Sequence, residues 1–281
     1  MYMKLKDGRS KVLTLSYDDG VVQDIRLIEI LDRYGLKATF NINSGLYLPE
    51  EVTREKFRGR LKRSEALALY KNSAHEVAVH GVRHEFLANL TSPEMLTEVL
   101  LDRQTLEEDF ELPVRGMAYA YGSYNEEVLK ALRMCGIAYS RTVNSTLGFG
   151  FPQNWLTLHP TCHHNSAKLM ELAESFVTVT PRYAMQNRLF YVWGHSYEFD
   201  DNDNWGVIER FAEYVSGKED IWYATNIEIY DYVRAYESLI TSVNGKMITN
   251  PTATDVWFLQ NGKTYCVKGG ETVVLLSSVS E

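Results

Sequence analysis

The chain has few cysteines, no excess of basic residues and no long apolar segment near its start. Among its 281 residues there are three cysteines, and no two of them form a CxxC pair. Widely spaced cysteines in an odd number disfavour a disulfide framework and favour reduced thiols in a cytoplasmic protein. The first twenty residues contain no long apolar run after their lysines, so we expect neither a signal peptide nor a membrane anchor. A cytoplasmic location is therefore the expectation, unless a leader has been removed.

The balance of charge is acidic. Lysine and arginine number 29 and aspartate and glutamate 37, which gives a formal net charge of −8 at pH 7. A protein that binds a nucleic-acid backbone needs an excess of basic residues, so we expect no nucleic acid as partner. With 45% hydrophobic and 12% aromatic residues, the chain has the composition of a globular protein with a substantial core. Its oligomeric state is left open.

Short apolar runs alternate with helical patterns from residue 11 to residue 239. Repeated strand–helix units form a parallel sheet or barrel that is covered by helices. We count about seven such units, which predicts an α/β protein with a distorted (β/α) barrel of about seven strands. The predicted strands are 11–16, 38–42, 76–79, 116–119, 137–140, 156–159, 189–193 and 221–224, and the predicted helices are 23–34, 64–71, 92–110, 126–135, 167–177, 205–215 and 228–239.

The pattern changes after about residue 241, where short strands separated by Asn-Gly and Gly-Gly turn signals take over. About forty residues are marginal as an independent domain without disulfides or a metal. We therefore predict a main domain over residues 1–240 and a small β-strand appendage over residues 241–281 that packs on the barrel. The predicted strands of the appendage are 246–249, 255–259, 264–267 and 271–276.

Two adjacent carboxylates, Asp18 and Asp19, end the first predicted strand within the sequence SYDDG. Active sites of α/β barrels form at the carboxyl ends of their strands. Neighbouring residues on an extended chain point in different directions, so the two carboxylates can take different roles. Taken alone, an ordinary Asp-Asp-Gly turn is the plainer interpretation.

Two histidines, His80 and His84, follow the predicted strand 76–79. Two histidines four residues apart on a helical turn can direct their ring nitrogens at one point, as a zinc site requires, and two unrelated surface histidines are the alternative. One aspartate with two histidines gives three ligands and open positions, the pattern of hydrolytic metal sites. The sequence therefore predicts a divalent metal ion, zinc first, with cobalt, nickel or iron fitting the same ligands.

A further histidine, His195, follows the apolar strand 189–193 and so reaches the same face of the predicted barrel. Flanked by Trp193 and Tyr197, it is a candidate general acid. A core histidine satisfied by hydrogen bonds is the alternative.

Together the segments SYDDG, HGVRH, AYAYG and VWGH resemble the polysaccharide deacetylases, the NodB-homology fold of carbohydrate esterase family four. The resemblance runs from about residue 11 to residue 239 in the family's order. It implies a distorted (β/α) barrel that removes acetyl groups from sugars with a divalent metal, and so makes residues 1–240 a NodB-like catalytic domain. An acetylated carbohydrate is the implied partner, and a membrane is not.

The resemblance also implies a role for each matching residue. Asp18 looks like the base that takes a proton from a metal-activated water. Tyr121 of AYAYG matches the residue whose backbone N–H binds the oxyanion, and His195 looks like the acid that protonates the leaving group. The implied metal ligands are Asp19, His80 and His84, and the expected substrate-binding residues are Arg115, Tyr119, Trp155 and Trp193.

Several positions depart from the family's pattern. Tyr17 replaces the commoner phenylalanine, and Ala120 stands where the family often has proline, which leaves that loop less rigid. Arg115 lies near the motif but not at the usual spacing of the arginine that orients the base. Trp155 is the candidate for the tryptophan of a degenerate site-flanking motif. No aspartate that would support His195 can be assigned.

The run Cys162-His163-His164 contains metal-binding residue types outside these motifs. A second metal site, a loop that lines the sugar cleft and a solvated loop are its three interpretations.

Three functions follow from the sequence. The first is a metal-dependent deacetylase of an N- or O-acetylated carbohydrate. The second keeps the fold and metal but acts on a small non-sugar amide, as an allantoinase-like amidohydrolase. The third is a carbohydrate-binding protein without catalysis, which the intact set of motif carboxylates and histidines disfavours.

Overall fold

The computed structural model describes residues 1–54, 59–179 and 186–275. Its strands are β1 (Tyr2–Met3), β2 (Lys11–Asp18), β3 (Ala38–Ile42), β4 (Glu76–Val79), β5 (Gly116–Ala118), β6 (Tyr139–Arg141), β7 (Cys162–His163), β8 (Arg188–Gly194), β9 (Ile221–Tyr223), β10 (Ile240–Thr241), β11 (Met247–Thr249), β12 (Val256–Gln260), β13 (Lys263–Val267) and β14 (Thr272–Val274). Its α-helices are α1 (Asp24–Arg33), α2 (Arg63–Tyr70), α3 (Ser92–Phe110), α4 (Glu126–Met134), α5 (Leu169–Thr178), α6 (Tyr197–Asp201), α7 (Gly206–Val215) and α8 (Asn226–Glu237).

A parallel sheet forms the centre of the molecule, with the strand order β6-β5-β4-β3-β2-β8-β7. The eighth strand, β9, pairs with the first half of β2, whereas β3 pairs with its second half. One edge of β2 is thus shared between two partners, and the sheet curls into an irregular half-barrel. The predicted distorted (β/α) barrel is confirmed.

The central strand β2 is buried along its whole length. A strand with both faces covered reads as a nearly continuous apolar run, and Val12, Leu13 and Leu15 supply it here. Polar residues follow at the carboxyl end of this strand, where Asp18 is also buried. Because β2 is packed on both faces, its position is fixed, and so is the position of the two adjacent aspartates at its carboxyl end.

The segment predicted as a strand at 156–159 is different in the structure. Residues Trp155–Thr157 form a turn of 3₁₀-helix, because the Asn154 side chain accepts a hydrogen bond of 3.0 Å from the backbone N–H of Leu156. Leu158 makes only an isolated bridge to Arg141. The strand that joins β8 lies further along the chain, at β7.

Two three-stranded antiparallel sheets follow the barrel, in the orders β1-β12-β13 and β10-β11-β14. Their apolar side chains, among them Ile248, Phe258 and Val267, form a core cluster with Ala235 of α8. The first of these sheets includes the amino-terminal strand β1. The division at residue 240 stays a prediction, and Leu276 of the predicted strand 271–276 lies outside the described residues.

Among the helices that the structure describes, none is long and apolar enough to cross a membrane.

Candidate active site

The carboxyl ends of β2, β4, β5 and β8 bring eight of the ten predicted site residues to one edge of the parallel sheet. They line a cavity of about 340 Å³. Parallel strands end at the same edge, so residues that follow different strands converge there. The residues that line the cavity are Asp18, Asp19, His80, His84, Tyr119, Tyr121, Val143, Trp193, His195 and Tyr197.

Three of these residues, Asp19, His80 and His84, form a cluster that we call the first centre. The Nε2 atoms of the two histidines lie 3.2 Å apart. Asp19 Oδ1 lies 3.9 Å from Nε2 of His80 and 3.6 Å from Nε2 of His84. Asp19 and His84 have φ angles of 89° and 61°, in the left-handed region that side chains other than glycine rarely adopt. Such strain costs about 1–3 kcal/mol per residue and clusters at functional sites.

The surroundings of the first centre suit a divalent metal ion. His80 Nδ1 lies 2.8 Å from the carbonyl oxygen of Ala118, to which it donates its proton, so Nε2 presents a lone pair. Burial lowers the pKa of His80, and burial together with the neighbouring His80 lowers the pKa of His84 to about 4, so both rings are neutral at pH 7. Asp19 Oδ1 is buried and accepts no hydrogen bond of regular geometry, and its one charged neighbour is Arg60 at 3.0 Å among the described residues. Two neutral nitrogens and a carboxylate oxygen are donors that fit such an ion.

Arg60 holds the backbone of Asp19 in place. Its guanidinium donates hydrogen bonds to the Asp19 carbonyl oxygen and, over 2.8 Å, to Asn43 Oδ1. The same group forms an ion pair with the Asp19 carboxylate at 3.0 Å. Sequence reasoning identified neither Arg60 nor Asn43, because neither lies in one of the motifs.

Asp18 is held as an ionised carboxylate. Asn41 donates a hydrogen bond of 2.8 Å to its Oδ1, and Arg141 forms an ion pair with its Oδ2. Burial by itself raises the pKa of Asp18, but Arg141, His80 and His195 outweigh burial and hold the pKa below its usual value. Asp18 is therefore charged and oriented at neutral pH.

Arg141 is a further site residue that the sequence reasoning missed. It is fully buried at the end of β6, with its guanidinium 4.2 Å from the ring centre of Trp193. Arg115, the residue considered for this place, instead forms a half-exposed ion pair of 2.6 Å with Asp231. The signal for Arg141 was its position directly after the predicted strand 137–140.

His195 lies between two carboxylates. Its Nε2 is 3.8 Å from Asp18 Oδ2, and its Nδ1 is 3.3 Å from Glu198 Oε1. Burial lowers the pKa of His195, but Glu198, Asp18 and Asp19 outweigh burial and raise it. Glu198 is thus the carboxylate beside His195 that could not be assigned from the sequence. It stands three residues later, in the short helix α6.

The segment AYAYG forms a tight turn at the rim of the cavity. Tyr121 has a φ of 56°. Its ring stacks on Phe86, with ring centres 3.9 Å apart, and meets His84 edge to face at 4.5 Å. Tyr119 is buried, and its hydroxyl donates a hydrogen bond of 2.8 Å to the carbonyl oxygen of Leu156.

The four residues expected to bind substrate separate into two pairs. Tyr119 and Trp193 line the cavity. Trp155 packs edge to face against Tyr230, with ring centres 5.2 Å apart, and Arg115 pairs with Asp231, so neither of this second pair is among the residues lining the cavity.

Comparison with known proteins finds a matching family model over about the first half of the chain. The model of the family described as polysaccharide deacetylase matches residues 5–140. A protein of Bacillus subtilis (strain 168) named "Putative polysaccharide deacetylase YxkH" is 24% identical over 135 residues, which are 47% of this chain and 44% of that protein. This chain therefore spans less than half the length of that relative.

Two solved structures share the fold. A "putative polysaccharide deacetylase" from Mycobacterium smegmatis has a TM-score of 0.59 at 16% identity, covering 84% of this chain and 94% of that one. A family 4 carbohydrate esterase from Streptomyces lividans, in complex with acetate, has a TM-score of 0.51 at 15% identity, covering 76% and 91%. The resemblance seen in the sequence is confirmed: residues 5–140 match the model of the polysaccharide deacetylase family.

Proposed function

We propose that the protein is a metal-dependent hydrolase that removes acetyl groups from an N- or O-acetylated carbohydrate. One observation carries this proposal: the first centre, the ionised Asp18 and the carboxylate-flanked His195 line one cavity. The match of residues 5–140 to the family model supports it, as does the carbohydrate esterase of the same fold that was solved with acetate.

Asp19, His80 and His84 would hold the metal ion, with zinc, cobalt, nickel or iron as the ions that these ligands accept. When bound, a divalent ion supplies Lewis-acid chemistry, because it lowers the pKa of a water molecule to about 7 and polarises a carbonyl group.

Asp18 would act as the general base that takes a proton from the attacking water. Its ion pair with Arg141 and its hydrogen bond from Asn41 leave the carboxylate charged and fixed in one orientation. A base must be deprotonated before reaction and within reach of the proton that it removes. The buried position of Asp18 beside the first centre meets both needs.

Tyr121 would supply a backbone N–H to the oxyanion that forms when water attacks the acetyl carbonyl group. Removing one such donor typically costs about 10²–10³ in rate. The left-handed backbone at Tyr121 is consistent with a turn shaped for this purpose rather than for folding.

His195 would give a proton to the departing amine or alcohol. Its raised pKa keeps a larger share of the ring protonated at neutral pH than an ordinary histidine would have. Asp18 and His195 thus stand as a base and an acid, 3.8 Å apart.

The cavity would receive the sugar. Tyr119 and Trp193 line it together with Tyr197 and Tyr121. Aromatic rings offer apolar faces with a polar edge, which suits the mixed surface of a pyranose ring.

Acetate release tests this proposal. The panel contains chitooligosaccharides, acetylated xylo-oligosaccharides and simple acetylated sugars, with added zinc or cobalt and with chelator. We expect acetate that depends on metal and is lost in Asp18→Asn, while the control Asp231→Asn, outside the cavity, keeps the wild-type rate. Acetate released by Asp18→Asn at the wild-type rate would overturn the assignment of the base.

Metal analysis tests the ligands separately. We expect His80→Ala to lose the ion of the first centre. Bound metal without acetate from any member of the panel would reject the carbohydrate assignment and favour hydrolysis of a small non-sugar amide.

A further inference from the structure

The histidines that the active-site motifs leave out meet a carboxylate in the structure. His163 ends β7, and His164 lies in the turn that follows, so both rings stand on one side with centres 4.5 Å apart. Nε2 of His163 lies 3.1 Å from Glu198 Oε2, and Nε2 of His164 lies 3.0 Å from the same oxygen. We call His163, His164 and Glu198 the second centre.

These close contacts do not satisfy the atoms that make them. Both ring nitrogens of His164 and Oε2 of Glu198 are buried without a hydrogen bond of regular geometry. His164 is completely buried, stacked on Phe199 with ring centres 4.2 Å apart and on Tyr17 at 5.7 Å. An unsatisfied buried polar group costs free energy, so native structures rarely leave one without a role.

The separations are close to those of ligands around one metal ion. Bonds of about 2.0–2.2 Å to a tetrahedral zinc ion place neighbouring ligand atoms roughly 3.3–3.6 Å apart, so side-chain shifts of a few tenths of an ångström would open the second centre for the ion. The three ligand atoms of the second centre all lie within 4.8 Å of one another. The side chains of His163 and Glu198 are 25% and 24% exposed, which leaves a path from solvent.

From this geometry we propose that His163, His164 and Glu198 bind a second divalent ion of the first transition row, with zinc as the reference ion. Two imidazoles and one carboxylate are a ligand set that such ions accept. Cys162, the third metal-binding residue type in this run, is fully buried in the main core cluster instead.

The second centre should bind its ion more weakly than the first, because the hydrogen bond to the outer ring nitrogen of His163 does not leave Nε2 free for metal. His80 Nδ1 donates to a carbonyl oxygen, which leaves Nε2 free for metal. His163 Nδ1 instead accepts a hydrogen bond of 3.1 Å from the backbone N–H of Asn165, so the proton of the neutral ring sits on Nε2. Binding must displace that proton and break this bond. Outer-shell changes typically cost about 10–100-fold in metal affinity.

Glu198 also connects the second centre with the proposed active site. The two oxygens of Glu198 face different partners: Oε2 faces the second centre, and Oε1 lies 3.3 Å from His195 Nδ1. Any effect of the ion on the rate rests on the proposed function, whereas binding of the ion does not.

Zinc titration of the metal-stripped full chain tests the proposal. Calorimetry and metal content after equilibrium dialysis should show two equivalents, the second binding about 10–100-fold more weakly than the first. We expect His163→Ala to lose only the weaker equivalent and His84→Ala only the tighter one. The control His159→Ala removes a histidine of the same segment outside both centres and should keep two. Cobalt in place of zinc should give two visible absorption components, one of them missing in His163→Ala.

A single equivalent in the wild type, lost in His84→Ala and kept in His163→Ala, would overturn the second centre and leave the first intact. Two equivalents that both survive in His163→Ala would also overturn it, since the weaker ion would then lie elsewhere. If His163→Ala does not fold, as judged by circular dichroism, Glu198→Gln takes its place with the same expected loss. Loss of the tighter equivalent alone in either variant would overturn the assignment of these residues.

Discussion

The first and second centres have the same set of donors, two imidazoles and one carboxylate, and different surroundings. In the first centre, neutral histidines present Nε2, and the outer nitrogen of His80 is held by a carbonyl oxygen. In the second centre, the outer nitrogen of His163 faces an N–H group, and that of His164 has no partner. Donor type alone therefore does not rank two metal sites, because hydrogen bonds one shell further out decide which nitrogen carries the proton.

The carboxylates differ as well. Asp18 stands beside the first centre, and the buried guanidinium of Arg141 balances the charge of its ionised carboxylate. Glu198 belongs to the second centre and faces three histidines, His163, His164 and His195, which hold its pKa well below the usual range although burial opposes them. One carboxylate is thus prepared to accept a proton from water, and the other to stabilise charge on imidazoles.

The largest expected effect separates the base from the ligands at the first centre. Asp18→Asn keeps the shape of the side chain and its place beside Asn41 but cannot accept a proton. Loss of general base catalysis costs about 10²–10⁴ in rate, so we expect kcat for acetate release to fall by that factor. Metal content should stay at the wild-type value, since Asp18 is not among the proposed ligands. A variant that has lost its tight ion would show instead that Asp18 and Asp19 cannot be assigned separate roles.

The next largest expected effect is a loss of stability, and it compares the removal of a buried arginine with that of a partly exposed one. Arg141 and its partner Asp18 have side chains 0% and 3% exposed, whereas Arg115 and Asp231 are 36% and 45% exposed. Leaving a buried charge unpaired costs about 3–5 kcal/mol, so Arg141→Met should lose that much unfolding free energy in the metal-stripped chain. Arg115→Met should lose about 0–1 kcal/mol.

Urea titration of both variants measures this contrast. Adding Asp18→Asn to Arg141→Met should restore part of the lost stability, because the uncompensated charge is then gone. Equal losses in the two single variants would show that the Arg141 pair is no more important to the fold than a surface ion pair.

A smaller effect tests whether the second centre can be disturbed by itself. A Cβ atom at Gly194 would lie 2.1 Å from His164 Nδ1, whereas a Cβ at Gly150 would meet nothing within 4 Å. Forcing extra atoms into a packed interior typically costs about 1–3 kcal/mol, and we expect Gly194→Ala to be destabilised by that amount. The matched Gly150→Ala should change stability by less than about 0.5 kcal/mol. The two melting curves and the zinc stoichiometry decide the outcome: a Gly194→Ala protein as stable as wild type, with two zinc equivalents, would contradict this packing.

The first centre could be predicted from the sequence because its ligands are local to two strand ends. Asp18 and Asp19 are adjacent, and His80 and His84 are four residues apart, so their spacing carries the information. The sequence did not reveal the third ligand of the second centre, because Glu198 lies in a different segment from the two histidines. Only the pairing of β7 with β8 brings those segments together.

Arg141 illustrates a second reason for failure. Its strand, β6, lies four places from β2 in the order β6-β5-β4-β3-β2. The Arg141 side chain reaches Asp18 only because the sheet curls and brings its far edge across the interior. The pattern of residues along the sequence predicts strands and where they end. It does not predict the curvature of the sheet, which determines which strand ends lie close together. Arg115 was considered only because it lies near AYAYG along the chain, although it is not at the usual spacing.

The smallest effect that we predict concerns the pH dependence set by Glu198. His195 is faced by Asp18, Asp19 and Glu198, which together raise its pKa against the opposing effect of burial. Glu198→Gln removes one of these charges, so the pKa of His195 should fall. The protonated acid is present below the pKa and is lost as pH rises through it. The alkaline limb of the kcat profile should therefore move to lower pH.

This shift connects the two centres, so it must be measured with one zinc equivalent, when the weaker site is empty. Glu213→Gln, on the exposed face of α7, is the matched control and should leave the profile unchanged. A second zinc equivalent given to the wild type should move the limb in the same direction as Glu198→Gln, because an ion on Oε2 and the loss of the charge both weaken the attraction between Glu198 and protonated His195. An alkaline limb that stays in place in Glu198→Gln would mean that Asp18 and Asp19 alone set the pKa of His195, and the second centre would then have no electrostatic route to the reaction.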